Sequence, residues 1–355
     1  MVAGLFMRVF RQGRRDTPPE LAAYLAAVFL DHPWRDPDLE SLVYVAPDGA
    51  VRGFIGLLPL RMTLGGRPLR AAVASTLMME GAAGDPLAGA RLVRAFLQGP
   101  QDLSFGEAAS DVARRMWLPL GARTLPLRGL CWTRILRPVG FAADVAARRM
   151  PALGALRMLA GPLDRIARQR RGGAPDVTAR GADVAPAARG SDVAPEDLAS
   201  VIPGALQRYA LRPDFELPVL RWLLSHAARK ELRGTPVARV VMGRQGRPVG
   251  GWLGHLRPRG VLRVMQVFSP PSEAGAVLDD ILAEGERAGA VAVSGPNQPE
   301  LTDALQLRGC LFRHAGFTLA HARDPAVTEA LQRSDAFVGG IAGEVWVRLS
   351  GSDLA

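Results

Sequence analysis

Apolar and polar positions follow two rhythms along the chain, and the rhythm changes in the same order twice. Between residues 17 and 31, Leu21, Leu25, Val28 and Phe29 recur on one helical face behind Thr17, a capping residue, and Pro18, which suits a first turn. Three strand-like runs follow: SLVYVA (41–46), VRGFIGLLPLRMTL (51–64) and RPLRAAVASTLMME (67–80). Asp48-Gly49 and Gly65-Gly66 separate them, dipeptides that tight hairpins favour. Residues 87–98 read as an amphipathic helix, QDLSFG (101–106) as a strand and SDVARRMWLPLG (110–121) as a helix; apolar segments around LRGLCWTRIL close the block. The opening MVAGLFMRVFRQGRR reads as a first strand, because its short apolar stretch precedes its charges, the reverse of a secretory signal.

The second block repeats this order. A helix at 216–228 precedes strands VARVVMG (237–243), RPVGGWLGHL (247–256) and GVLRVMQVFS (260–269). A helix at 272–289, a strand at 290–296, a helix at 300–309 and the segment LFRHAGFTLAHA (311–322) follow, then a last helix and a β-hairpin in DAFVGGIAGEVWVRL (335–349). Such repetition predicts an internal duplication. Between the blocks, residues 172–194 carry almost no bulky apolar side chains, and ARGADVAPA (179–187) is followed directly by ARGSDVAPE (188–196). Ordering this segment would cost backbone entropy without a core to offset it, so it reads as a linker. Just before it, Leu153, Leu156, Leu159, Leu163 and Ile166 share one face of a basic helix that fits either packing on the first block or weak contact with an anionic membrane surface. The expected division is therefore a first domain at 1–150, a basic helix and linker at 151–195, and a second domain at 196–355.

Length and charge refine this picture. The 355 residues suffice for two ordinary domains, and no uninterrupted apolar run approaches the roughly 20 residues of a membrane-spanning helix, which predicts a soluble protein. The net charge is +10 and comes from arginine, Lys230 being the sole lysine. Arginine, alanine, glycine and proline all use codons rich in G and C, so a solvated arginine-rich surface explains the excess; an anionic partner such as a CoA-type nucleotide, RNA or acidic lipid also fits it. Cys131 and Cys310 lie far apart without metal-ligand spacing, which points to a reducing cytoplasm. His314 and His321 lack companions at zinc spacing, and no metal is expected.

The order helix, three antiparallel strands, helix, strand, helix, strand resembles the fold of the GNAT acyltransferases, twice over. The resemblance implies an α+β protein, a mixed and mostly antiparallel sheet with flanking helices in each of two tandem GNAT-like domains. In that family two neighbouring strands splay, and acetyl-CoA or another acyl-CoA enters the gap with its pyrophosphate on the amides that open the next helix. That placement rests on the unpaired amides and dipole of a helix N-terminus. MMEGAAGDPLAGARLV (78–93) stands at that place, and the resemblance assigns donor binding to Met78, Met79, Gly84, Leu87, Ala88, Gly89, Ala90 and Arg91, with Arg94 able to add charge. Aligned on Gly89, Gly84 replaces the family's arginine or glutamine, Leu87 replaces its first glycine, and a small deletion after Pro86 accounts for both departures.

The resemblance also supplies candidate catalytic residues. Glu80, at the end of the third strand, takes the position of a general base. Asp111 precedes the next helix as a polar residue does in the family, and Trp117, with Gly121 behind it, stands where a tyrosine often protonates the departing thiolate. An indole has no proton to give at neutral pH, so the acid would then be another group or solvent. In the second block SPPSEAGAVL (269–278) replaces the phosphate loop; two prolines remove amide donors and Ser272-Glu273 looks like a helix cap, so that block is not expected to bind CoA in the usual way.

The implied activity is acyl transfer from acyl-CoA to an unidentified amine or hydroxyl acceptor, a small molecule, aminosugar or peptide, lying near Glu80, Trp117 and the cleft between the blocks. Two alternatives stand beside it: a Fem-type transferase using aminoacyl-tRNA, the one reading with a nucleic-acid partner, and a non-catalytic GNAT-like scaffold. His32-Pro33-Trp34-Arg35-Asp36 has the histidine, three spacers and aspartate of a different class of CoA-dependent acyltransferases, but the partner motif of that class is missing.

Overall fold

Turn chemistry and apolar spacing set most of the elements seen in the structure, a computed structural model that describes residues 1–11, 17–81, 85–150, 189–243 and 246–349. The basic helix expected at 151–171, the linker up to residue 188, and Gly84 lie outside the described residues. In chain order come α1 (Val2–Phe10), α2 (Pro19–Phe29), β1 (Leu42–Val45), β2 (Val51–Leu64), β3 (Arg67–Met79), α3 (Ala88–Leu97), β4 (Leu103–Ala109), α4 (Asp111–Trp117), β5 (Arg123–Thr124), β6 (Leu130–Ile135) and α5 (Pro138–Arg149). Then follow β7 (Arg189–Asp192), β8 (Leu211–Pro213), α6 (Leu217–Ala228), β9 (Thr235–Met242), β10 (Pro248–Leu256), β11 (Val261–Phe268) and α7 (Ala274–Arg287). The described chain finishes with β12 (Ala292–Pro296), a helical turn at Thr302–Leu307, β13 (Leu311–His314), β14 (Phe317–Ala322) and α8 (Pro325–Gln332). The architecture is the expected α+β one, two mixed sheets with flanking helices.

The contacts group the chain differently from cuts at 150 and 195. One unit comprises Met1–Gly129, Leu206–Ala227 and Ala315–Ala355; the other comprises Leu130–Ala205 and Ala228–His314. The first sheet has the order β1-β2-β3-β4-β14-β5, with β8 also on β2. Its core packs the α3 face, Leu92, Val93, Phe96 and Leu97, against Ile55, Leu57, Ala72 and Trp117. The second sheet runs β13-β6-β12-β11-β10-β9-β7, and Trp132, Trp252, Val277, Leu278 and Ile281 form its core. Thus β14, late in sequence, sits inside the first sheet, while β6 belongs to the second. The expected single segment 311–322 is divided accordingly at Ala315-Gly316, β13 going to one sheet and β14 to the other.

Two elements differ from the sequence reading. Residues 2–10 form a helix, not a strand: Ala3, Phe6 and Met7 are buried at helical spacing, which a short apolar run does not distinguish from a strand pattern. The C-terminal hairpin is absent from the described residues. Residues 340–342 make a single 3-10 turn, because Glu107 Oε1 and Oε2 accept the N–H groups of Gly340 and Glu344 at 2.9 Å each and so take donors that a ladder would need. Trp346, expected on a strand, is buried without one.

Candidate functional site

The site in the first unit begins where two parallel strands part. β3 and β4 pair only at Ala71↔Leu103, Ala72↔Ser104 and Val73↔Phe105, although β3 runs on to Met79 and β4 to Ala109. Each strand bulges just past the parting. On β3, Phe54 opposes Met78 and Gly56 opposes Ser75, so one residue too many is fitted there, and Thr76 takes φ 55°. On β4, Ala108 takes φ 49°, and the register with β14 shifts between Phe317 and Leu319. Such bulges bend a strand and end its pairing. Two non-glycine residues in the left-handed region mark strain concentrated at this wedge.

The helix that follows β3 starts at the open end of the wedge. Tyr44, Gly53 and Met79 share one row across β1, β2 and β3. A Cβ on Gly53 would lie 2.5 Å from Met79 Sδ, so the thioether occupies the space glycine leaves. A Cβ on Gly89 would lie 3.4 Å from Met79 Cγ and 3.3 Å from Met116 Sδ, which places the first turn of α3 directly over the end of β3. Met78 and Ala88 are buried, Met79, Gly89 and Ala90 half-buried, and Leu87 and Arg91 exposed.

One side chain already uses this helix start. Leu87 N–H donates to Asp85 Oδ1 at 3.0 Å and Ala88 N–H to the Asp85 carbonyl at 3.2 Å. Arg91 and, at 3.0 Å, Tyr44 Oη donate to Asp85 Oδ2. The Arg91 guanidinium, with smaller help from Tyr44 and the Leu87 N–H, holds the Asp85 carboxyl below its usual range against the opposing effect of burial. Asp85 in turn raises the Tyr44 phenol. Gly89 and Ala90 follow in the first turn, where helix geometry supplies no intrahelical acceptor for N–H groups. Composition alone gave no sign that Tyr44, a residue on an edge strand, reaches this turn.

The three candidate catalytic side chains are not gathered at one point. Glu80 extends from the end of β3 into a two-pronged pair with Arg8 of α1, Nε to Oε1 at 2.6 Å and Nη2 to Oε2 at 3.0 Å. That pair lowers the Glu80 carboxyl, and a carboxylate so held is a weak base. Asp111 is paired with Arg114 and Arg115 of its own helix, which lower it likewise, while Ser110 caps α4 by accepting from Ala113 N–H at 3.2 Å. Trp117 is 2% exposed and packs on Phe96 with ring centroids 5.7 Å apart, so its indole is part of the core. A surface cleft of about 610 Å³ lined by Arg123, Leu125, Ala320 and Arg323 lies toward the Leu103 end of β4, away from the wedge.

The second sheet parts in the same way and is closed. β11 and β12 pair at Val261↔Ala292, Leu262↔Val293 and Arg263↔Ser294, after which β11 bulges between Gln266 and Val264 opposite β10. Beyond the parting, Val267 N–H donates to Gln298 Oε1 at 2.8 Å and Gln298 Nε2 donates to Val267 O at 2.9 Å. The buried amide of Gln298 thus fills the gap as a strand residue would. The turn after β11 is a 3-10 segment at Pro271–Glu273, and α7 begins after Glu273 without a side-chain cap, so Ser272 is not the cap its sequence suggested.

The remaining candidates lie elsewhere. His32 Nδ1 accepts from Trp34 N–H at 3.0 Å inside a buried turn, and burial, aided by nearby His226, pulls its imidazole down to about 4. Cys131 and Cys310 are free thiols, and burial pushes Cys310 up to about 11. Among the described residues no group of three His, Cys, Asp or Glu side chains converges to hold a metal, and no helix is long and apolar enough to cross a membrane.

No family model and no curated protein matches the sequence. Solved structures do match. A GCN5-related N-acetyltransferase from Anabaena variabilis aligns over 91% of this chain and 70% of its own, with a TM-score of 0.56 at 11% identity. A conserved protein from Enterococcus faecalis, described as a "probable N-acyltransferase", aligns over 90% of this chain and 68% of its own, with a TM-score of 0.54 at 11% identity. The chain therefore has the fold of the GCN5-related N-acetyltransferases, across most of its length.

Proposed function

We propose that this chain is an acyl-CoA-dependent N-acyltransferase, with the donor in the wedge of the first unit and an amine as acceptor. The observation that carries the reading is the parting of β3 and β4 beyond Val73 and Phe105, with a bulge on each strand and the start of α3 over the open end. An extended thioester arm fits such a gap because strand groups that lose their ladder partners need new ones. The first-turn amides of α3, those of Gly89 and Ala90 foremost, would face the pyrophosphate, with Arg91 or Arg94 adding charge.

In the reaction the acceptor nitrogen attacks the thioester carbonyl, a tetrahedral intermediate collapses, and the C–S bond breaks to release the thiolate. Glu80, held ionised by Arg8, would draw the amine proton through water rather than take it directly. Trp117 is buried in the core, so the thiolate would take its proton from solvent. Asp111 would serve by ordering the start of α4. Most of the acceleration would come from positioning.

A second reading, a non-catalytic GNAT-like binding protein, is favoured by one observation: the Asp85 carboxylate sits at the helix start where the pyrophosphate would lie. Calorimetric titration with acetyl-CoA and longer acyl-CoA, on the protein and on Gly89→Asp, separates the two. Micromolar binding that the variant loses supports the transferase reading; no binding to either ligand overturns it.

A further inference from the structure

The cleft on the first sheet, away from the wedge, is a product of side-chain size. β14 and β5 pair antiparallel at Leu319↔Thr124 and Ala320↔Arg123, and Leu125 N–H donates to Thr318 O at 2.8 Å, so the pairing carries on past β5. Opposed residues share a sheet face, as do alternate residues along a strand. Arg123, Leu125, Ala320 and Ala322 therefore form one floor, and Pro325, Thr328 and Leu331 of α8 stand beside it as a wall. Only methyl groups rise from Ala320 and Ala322, which leaves a hollow of about 610 Å³ that larger side chains would fill. Buried Leu125 and Leu331 make part of the lining apolar, and half-buried Thr328 brings a hydroxyl.

The charge of this lining is not balanced. Arg123 is exposed, and Arg323 Nη2 donates to two neutral acceptors at the end of α3, Gln98 O at 3.2 Å and Gly99 O at 2.9 Å. Among the described residues neither guanidinium pairs with a carboxylate. The nearby acids are committed to other partners. Glu329, the acid of the lining, pairs with Arg333 at 2.7 Å. Asp324 caps α8 by accepting from Ala326 N–H at 2.8 Å and pairs with Arg67. Two cations thus border an open hollow that holds no anion for them.

We infer that this cleft is a second ligand site, for a small organic anion whose carboxylate or phosphate head meets Arg123 and Arg323 and whose apolar remainder lies on Leu125 and Leu331. Its volume is within the range of small-molecule pockets. A guanidinium matches either head with two parallel N–H bonds, and water excluded by the apolar lining strengthens the pairing. The site is separate from the gap between β3 and β4 and does not depend on a donor binding there.

The test titrates the full chain with benzoate and phenyl phosphate, which share a ring and differ in the head, and with neutral benzamide, read by ligand-observed NMR at low and high salt. One or both anions should bind, more weakly as salt is added, and benzamide should bind about tenfold more weakly or not at all. Whichever anion binds more tightly identifies the head. Arg123→Gln, at an exposed position, should keep the thermal midpoint and weaken anion binding about tenfold. Thr328→Trp fills the hollow without touching a charge and should abolish binding. Calorimetry with acetyl-CoA on Arg123→Gln should match the parent, which keeps this site apart from the donor site. No binding of either anion up to millimolar concentration, equal binding of benzamide, or anion binding unchanged in either variant overturns the proposal; the last result would mark adventitious binding to the arginine-rich surface.

Discussion

Replacing Gln298 by alanine strips the Val267 N–H of its acceptor and leaves Val267 O with only the 3.5 Å bond from Gln266 Nε2, at the point where β11 and β12 have parted. Gln298 is 7% exposed and Val267 2%, so water does not readily take over either bond. A buried donor or acceptor left unmade costs about 1–3 kcal/mol, and with the Val267 N–H unmade and its carbonyl weakly held the expected loss is about 1–4 kcal/mol. That is a large share of the roughly 5–15 kcal/mol by which a domain is stable. Urea unfolding followed by tryptophan fluorescence reads it, since Trp132 and Trp252 lie in the same core. Gln298→Glu sharpens the test. It keeps an acceptor for Val267 N–H but sets a second acceptor against Val267 O, a contact that turns favourable only when the carboxyl is protonated. The folded pKa of the introduced carboxyl then rises above its unfolded value of about 4.3. Its bond is fully present below pH ~4.3 and is lost as pH climbs through the raised value. Alanine within about 0.5 kcal/mol of the parent, the range of an ordinary surface substitution, together with a pH-insensitive Gln298→Glu, would refute the idea that an amide closes this wedge.

Asp85→Asn removes a negative charge from the start of α3 and releases Arg91, so acyl-CoA should bind several-fold more tightly in calorimetry; weaker or unchanged binding would remove the pyrophosphate from that turn. Arg8→Gln should raise the Glu80 carboxyl and shift the acid limb of any acyl-transfer pH profile upward, whereas an unmoved limb would separate Glu80 from the reaction. His32 and His255 are pulled down to about 4 by burial, His255 further by Arg233 and Lys230, while its Nε2 lies 3.2 Å from Ala228 O. Both stay neutral in the folded and unfolded chain above pH ~6.5, so their contribution is intact there. As pH falls from about 6.5 to 4 the unfolded chain protonates first, and each histidine should remove up to about 3 kcal/mol of stability; histidine NMR titrations giving ordinary values would contradict this. Trp117→Ala should cost about 3–5 kcal/mol in thermal unfolding, as a large core truncation, and Trp117→Phe should keep most of any transfer activity.

Element order was largely legible because its signals are local. Asp48-Gly49 and Gly65-Gly66 do turn their hairpins, with Gly49 at φ 80° and Gly66 at φ 91°, and the α3 face follows its apolar spacing. The strand partners were not legible, because nothing in FTLAHA or LCWTRI says which sheet will take it. Pairing across nearly 200 residues leaves no periodic trace, and composition marked only the linker. The wedge itself was expected from the resemblance, but the means of closing the second one was not: a lone glutamine in SGPNQPEL carries no pattern. Likewise nothing in GDPLAGARLV marks Asp85, and only its three partners, Tyr44, Arg91 and Leu87 N–H, reveal a charge held over the helix start. The N-terminal helix was misread because nine apolar-rich residues fit either period.

The place of β14 between β4 and β5 has a consequence for how the protein is made. At a synthesis rate of roughly 5–20 residues per second, the ribosome needs on the order of 10–40 s to travel from residue 124 to residue 322. For that interval the nascent first half carries β4 with no neighbour on one side, and β5 has nothing to join. The first sheet is thus completed only once residue 322 has been made, and cells that produce this protein must shelter an open strand edge until then.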